Sequence, residues 1–233
     1  MMEEKKMESA GNYKNISVFE ALGARRQLKL SLESPQRGLR RRETLYLAGE
    51  EADYVCIVQS GRVKLARQSP GGKALIWEIV GPGEVFGLEP LFGQEHRESR
   101  AVAMQETRIL LVDRDRFRQL LFEHPDLSQS LLRLLHERLR SSRESLSRLA
   151  FQDVRSRLAG QLLDLARRQG VCQGDRAELE APLTHQDLAS LIGSTRETTT
   201  AALGQLRRAR LIQFDRRRIV IPRLSGLEAL AAG

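Results

Sequence analysis

Leu183-Thr184-His185-Gln186-Asp187-Leu188-Ala189-Ser190-Leu191-Ile192-Gly193-Ser194-Thr195-Arg196-Glu197-Thr198 is the stretch on which the reading of this 233-residue chain turns. Thr184 with Asp187 resembles a capping box, and Ser194 with Glu197 fits that pattern more closely. Two helix starts therefore lie about ten residues apart with Gly193 at the turn, the grammar of a helix-turn-helix. Ala189 is small where the two helices must approach, and Leu188, Leu191, Ile192, Leu203 and Leu206 supply the apolar faces. This leaves Arg196, Glu197, Thr199 and Thr200 expected outward at the start of the second helix. Arginine pairs bidentately with guanine O6 and N7, and glutamate accepts from the cytosine amino group, so the Arg196-Glu197 doublet is a chemically sensible reader of G·C pairs. The plainer alternative is a solvated helix start with a capping glutamate.

Beyond that helix, Leu211-Ile212-Gln213-Phe214 and Arg218-Ile219-Val220-Ile221 flank Asp215-Arg216-Arg217 as two short strands joined by a basic turn. That pattern is a wing. Arg216, Arg217 and Arg218 at its tip, with Arg207, Arg208 and Arg210 after the second helix and Ser194 and Thr195 before it, are expected to meet phosphate. The alternative is a solvated charge run. From Val154 to Gly233, 13 arginines and no lysine face 8 acidic residues, so this third of the chain carries +5 of a total of +8. Double-stranded DNA is the partner that this charge and this motif suit together.

Upstream, from about Arg40 to Arg114, short β-branched and apolar runs are punctuated by glycine: 54–58, Gly61, 63–65, Gly71-Gly72, 74–80, Gly81-Pro82-Gly83 and 109–112. They read as an antiparallel β-roll or sandwich, with Gly61 at a tight turn that needs a positive φ. Pro125-Asp126 opens a stretch without glycine or proline running to about Phe151, one long helix. Along it Leu132, Leu135, Leu139, Ser142, Leu146 and Leu149 follow steps of three and four, the a/d seam of a coiled coil. A homodimer through this helix is expected, with packing against the chain's own roll as the alternative. Asp153 is placed to cap the next helix, and the domain boundary falls there. The fold class is α+β: a tail over 1–27, a β-roll over 28–124, a dimerisation helix and hinge over 125–152, and a winged helix-turn-helix over 153–233.

Composition excludes several other classes. No apolar run approaches the roughly 20 residues of a membrane span, and no secretory signal follows Met1, so a cytoplasmic protein without membrane contact is expected. Cys56 and Cys172 are too few for a disulfide scaffold, a thiolate zinc site or an iron–sulfur cluster, and read as two buried thiols. His96, His124, His136 and His185 lack ligand spacing, so no metal is expected. No nucleophile with its base appears, and Gly81-Pro82-Gly83 has no Lys-Ser/Thr sequel, so no enzyme is expected. A sensor module acting on a protein partner would not need the basic winged domain.

With these features together the chain resembles the cAMP receptor protein and fumarate–nitrate regulator (CRP/FNR) superfamily of bacterial transcription factors, over about residues 28 to 222. The resemblance is carried by Ser194-Thr195-Arg196-Glu197-Thr198, by Leu149-Ala150-Phe151-Gln152-Asp153-Val154, by Gly61-Arg62-Val63-Lys64-Leu65, and by Gly83-Glu84-Val85-Phe86-Gly87 leading to Leu91-Phe92. It implies an N-terminal cyclic-nucleotide-binding-type β-roll and a homodimer on a pseudo-palindromic TGTGA-like site read by Arg196 and Glu197. It also implies RNA polymerase as a further partner.

In nucleotide-binding relatives, backbone N–H groups after the glycine matched by Gly87 and a downstream arginine hold the phosphate, while a glutamate directly after that glycine grips the ribose. Here Arg97 matches the arginine, Leu88 stands at the glutamate position, Glu89 comes one residue late, about 100° around a helix, and Glu98 replaces a hydroxyl residue. Ser142 and Arg143 match positions that reach from the long helix toward the base. The expected pocket is Gly87, Leu88, Glu89, Arg97, Glu98, Ser142 and Arg143, with pairing of Arg97 to Glu95 or Glu98 as the alternative to its holding a phosphate. cAMP, another small effector, or a roll kept as scaffold without ligand all remain open, and the departures argue against the usual response to cAMP.

Overall fold

A computed structural model describes Val18 and residues 22–69, 71–179, 183–215 and 218–232. The chain runs α1 (Ala24–Glu33), β1 (Gln36–Leu39), β2 (Thr44–Tyr46), β3 (Tyr54–Ser60), β4 (Val63–Gln68), β5 (Ala74–Val80), β6 (Val85–Phe86), a 3-10 turn (Glu89–Phe92), β7 (Arg100–Ala103) and β8 (Thr107–Asp113). The helices α2 (Arg114–Glu123), α3 (Pro125–Phe151) and α4 (Val154–Gln169) follow, then β9 (Val171–Gln173), β10 (Arg176–Leu179), α5 (His185–Leu191), α6 (Arg196–Arg208), β11 (Gln213–Asp215), β12 (Arg218–Ile221) and α7 (Leu224–Ala231). No helix among the described residues is long and apolar enough to cross a membrane.

The roll is two antiparallel sheets of four strands, ordered β1-β8-β3-β6 and β2-β7-β4-β5. β3 shows why its sequence is apolar without alternation. Successive side chains leave a strand on opposite faces, and both faces of β3 are covered. Cys56 and Val58 point into the space between the sheets, with Leu39, Phe86 and Ile109 of their own sheet and Leu45, Val63, Leu65, Val80 and Ala101 of the other. Val55 and Ile57 point the other way, onto Phe117 and Leu120 of α2 and Leu127, Leu131 and Leu134 of α3. The β3–β4 turn has Gly61 at φ +87°, and a Cβ there would stand 2.4 Å from Thr107 Oγ1 and 2.5 Å from the Glu106 carbonyl oxygen, so the position admits only glycine.

α3 starts on Pro125, whose missing N–H costs nothing in a first turn, and runs for 27 residues. It carries two stripes. Leu127, Leu131 and Leu134 bury against the roll, and Arg138 extends that attachment, its Nε donating to Glu78 Oε1 at 2.7 Å and its Nη2 to the Val85 carbonyl at 2.6 Å. On another face Leu132, Leu139 and Leu146, one heptad apart, are 67%, 51% and 66% exposed. Asp153 then caps α4, its Oδ1 accepting from the Ser156 amide at 2.8 Å.

The C-terminal domain closes around α4, whose Leu158, Leu162, Leu165 and Ala166 pack with Leu188, Ile192, Leu203, Leu206, Ile219 and Ile221. Its sheet is ordered β11-β12-β10-β9. The expected wing pair forms two of these strands. The hairpin β9–β10 adds two more that the sequence reading did not anticipate. The thiols also differ from expectation: Cys56 is buried, whereas Cys172, on the edge strand β9, is exposed. Burial pushes the Cys56 thiol well above its ordinary pKa, so it stays protonated and inert.

Candidate nucleic-acid interface and effector pocket

Both helix starts of the helix-turn-helix are capped, though not as the residue pattern ranks them. Thr184 and Asp187 form the full reciprocal box: Asp187 N donates to Thr184 Oγ1 at 3.1 Å and Thr184 N to Asp187 Oδ2 at 3.0 Å. At the second start the cap is Thr195 rather than Ser194, with Thr198 N donating to Thr195 Oγ1 at 3.2 Å. Glu197 therefore sits at the second position of α6, where its charge suits the helix dipole without closing a box. Gly193 makes the turn at φ +62°, and Ala189 is fully buried at the helix crossing.

Arg196, Glu197 and Thr200 are exposed along one face of α6, and neither Arg196 nor Glu197 makes an ion pair among the described residues. Thr200 is held by its hydroxyl, which donates to the Arg196 carbonyl at 2.8 Å and lies 3.0 Å from His185 Nδ1. Thr199 corrects the sequence reading. It is fully buried, and its hydroxyl donates back to the Thr195 carbonyl at 2.8 Å, so it reads nothing. The signal was available: Thr199, Ala202, Leu203 and Leu206 follow the i, i+3, i+4, i+7 spacing of a core stripe. Ser194 is half-buried and Thr195 is exposed at the start of α6, while Arg207 and Arg208 are exposed in its last turn and Arg210 just beyond it. Arg218 is exposed on β12, with its Nη1 3.5 Å from Glu178 Oε2. Arg216 and Arg217 lie outside the described residues.

In the roll, Arg97 is wholly enclosed. Its Nη1 donates to the Gly87 carbonyl at 3.0 Å and to Glu89 Oε2 at 3.2 Å, and its Nη2 donates to the Tyr54 carbonyl at 2.6 Å. The guanidinium carbon stands 4.5 Å from the ring centre of Tyr46 and 4.6 Å from that of Tyr54. Gly87, at φ +66°, is required for this approach, since a Cβ would come within 2.7 Å of Arg97 Nη1. The partner of Arg97 is therefore Glu89, not Glu95 or Glu98. Glu89 opens the 3-10 turn, with its side chain largely buried against Arg97. Glu98 is exposed and accepts from Gln94 Nε2 at 2.9 Å, and Leu88 packs into the core between sheet and helices. Ser142 and Arg143 are exposed on α3. Tyr46 and Tyr54 were not singled out from the sequence, because an aromatic over a buried cation leaves no local pattern.

Residues 36–124 match the cyclic nucleotide-binding domain model and residues 156–230 the Crp-like helix-turn-helix domain model. The chain is 35% identical over 181 residues to the CRP-like cAMP-activated global transcriptional regulator of Mycobacterium tuberculosis, covering 78% of this chain and 81% of that protein. The chain belongs to the CRP/FNR family. A second relative, the global nitrogen regulator of Synechococcus elongatus, is 33% identical over 208 residues, 88% of this chain and 91% of its own length. Among solved structures, a CRP/FNR-family regulator of Thermus thermophilus superposes with TM-score 0.67 at 31% identity, over 85% of this chain and 99% of the other. FixK2 of Bradyrhizobium japonicum superposes with TM-score 0.75 at 26% identity, over 86% and 98%.

The CRP/FNR relatives are regulators of transcription rather than enzymes, and this chain carries the DNA-binding helix-turn-helix domain of the family. The seam of its long helix divides into two environments. Leu135 packs partly against its own roll. Leu132, Leu139, Ser142, Leu146 and Leu149 remain exposed, with Leu149 Cδ2 reaching within 3.0 Å of where a Gly193 Cβ would stand.

Proposed function

We propose that the chain is a sequence-specific transcriptional regulator that binds, as a homodimer, a pseudo-palindromic site with TGTGA-like half-sites. The observation that carries this reading is the free Arg196-Glu197 doublet on the first turn of α6, with Thr200 beside it, on a domain of the Crp-like type. In this reading Thr195, Ser194, Arg207, Arg208 and the wing arginines Arg216, Arg217 and Arg218 meet phosphate and set the register, while the doublet specifies sequence. The heptad of exposed leucines on α3 supports the two-fold pairing: the face of that helix which serves its own roll is already occupied, and Leu132, Leu139 and Leu146 lie on a different face. The domains are 28–124 for the roll, 125–152 for the dimer helix and hinge, and 153–233 for the reader. RNA polymerase is the partner through which such a bacterial regulator acts, in the cytoplasm.

The response does not follow cAMP. A phosphate would have to displace the Glu89 carboxylate from a guanidinium that already has three acceptors and two aromatic faces. A second reading, in which cAMP does displace Glu89, is favoured by two observations: the name of the 35%-identical relative, and Arg97 Nε, buried without an acceptor. One mobility-shift series separates them. A TGTGA-type palindrome should be bound equally with and without cAMP, and Arg196→Ala should weaken that binding. A shift that needs cAMP selects the second reading, and no shift under either condition overturns the site.

A further inference from the structure

The two domains meet at a joint that neither the reader nor the pocket requires. Lys64 on β4 reaches across it, its Nζ 2.5 Å from Asp187 Oδ1. Asp187 divides its two oxygens. Oδ1 takes the roll lysine, and Oδ2 accepts from both the Thr184 amide at 3.0 Å and the Thr184 hydroxyl at 2.7 Å, closing the cap of α5. Its side chain is 9% exposed and that of Lys64 23%, so the pair is partly shielded from water and from salt. The first residue of α5, His185, lies 3.0 Å from Thr200 on the outward face of α6. One short chain of contacts therefore runs from the roll through the cap of α5 to the helix that carries the doublet.

A second link fixes the other approach to the joint. Arg62 Nε donates to Gln169 Oε1 at 3.1 Å, and Gln169 Nε2 donates to the Ile79 carbonyl at 2.8 Å, pinning the end of α4 to β5. Between the two links Ala66, Ile76, Ile79 and Met104 of the roll enter the apolar core of the C-terminal domain.

We infer that Lys64 is a positioning residue for DNA recognition: through Asp187 it holds the helix-turn-helix in the orientation that a two-fold site requires, with no small molecule needed to do so. The inference rests on the homodimer reading above. A reader swinging on its hinge would still find one half-site, but two readers in a dimer engage both half-sites only when each is held. The apparent dissociation constant for the palindrome rises as the held fraction falls.

The test compares full-length wild type, Lys64→Met and Lys64→Arg on a palindromic duplex and on a duplex with one half-site, across a salt series. Lys64→Met should bind the palindrome about tenfold more weakly, as when the held fraction drops to about a tenth. Its half-site affinity and its slope of log K against log salt should stay those of wild type, and Lys64→Arg should restore the palindrome. Equal or tighter palindrome binding by Lys64→Met overturns the inference. So does a salt slope smaller by about one, which would mark Lys64 as a phosphate contact, or a parallel loss on the half-site, which would mark damage to the domain itself. If wild type itself fails to prefer the palindrome, the two-fold reading falls, and the positioning role of Lys64 that rests on it falls with it.

Discussion

At Arg97 a guanidinium with no exposed side-chain surface has one carboxylate among the described residues, Glu89, within ion-pair distance. Removing one partner of such a buried pair strands the other charge and costs about 3–5 kcal/mol. Glu89→Ala should therefore lower the melting temperature sharply, by calorimetry, whereas Glu89→Gln should lower it less because an amide oxygen can still accept from Nη1. A melting temperature unchanged in Glu89→Ala would mean that the Tyr54 carbonyl and the two rings suffice. Asp187 makes the complementary case for pH. Burial opposes its ionisation, but hydrogen bonds from Lys64 and from the hydroxyl and amide of Thr184 outweigh that cost and hold its carboxyl below the ordinary value. A depressed folded pKa contributes stability that is fully present above the unfolded value and is lost as pH falls through the folded one. The stability gap between wild type and Asp187→Asn should thus be constant near neutrality and shrink only in acid below the usual carboxylate range. These residue-level facts were only partly legible beforehand. Arg97 and Glu89 were both picked out, yet their pairing was not, because it joins residues eight apart across irregular chain, a separation that no helix or strand period marks.

The elements were easier to read wherever burial imposed a period. α3 begins and ends where its proline and its loss of the leucine repeat put it, because each signal is a steric or packing constraint on the backbone itself. The β9–β10 hairpin escaped for the opposite reason. All three residues of β9 are exposed, so no apolar alternation marks the strand, and the remaining cue was Gly174-Asp175 in a two-residue turn, with Gly174 at φ +60°. The heptad on α3 yields the test at this scale. A fully buried leucine contributes about 1.5–3 kcal/mol, and a two-fold axis counts each substitution twice. Leu139→Ala should accordingly raise the dimer dissociation constant about a hundredfold or more by analytical ultracentrifugation. Leu134→Ala, on the stripe facing the roll, should instead unfold the roll at lower temperature and leave the association of folded chains nearly unchanged.

At the scale of the whole molecule the joint, the long helix and the reader form one lever. Roll and C-terminal domain are tied at Lys64–Asp187 and at Arg62–Gln169, so under the proposed pairing through α3 the separation and the relative rotation of the two α6 helices would follow from that pairing rather than from the DNA. Two readers held in this way accept half-sites about one helical turn, roughly 34 Å, apart on the same face of the duplex. Inserting about 5 base pairs between the half-sites moves the second by about half a turn, onto the opposite face. The held dimer must then twist the duplex, break its joint or release one half-site. Affinity for the inserted site should fall to that of a single half-site by fluorescence anisotropy, while Lys64→Met, with its joint loosened, should lose much less between the two spacings. Equal tolerance of the insertion by wild type and by Lys64→Met would show that flexibility resides in the hinge at Gln152 and Asp153, and that the roll does not hold the reader.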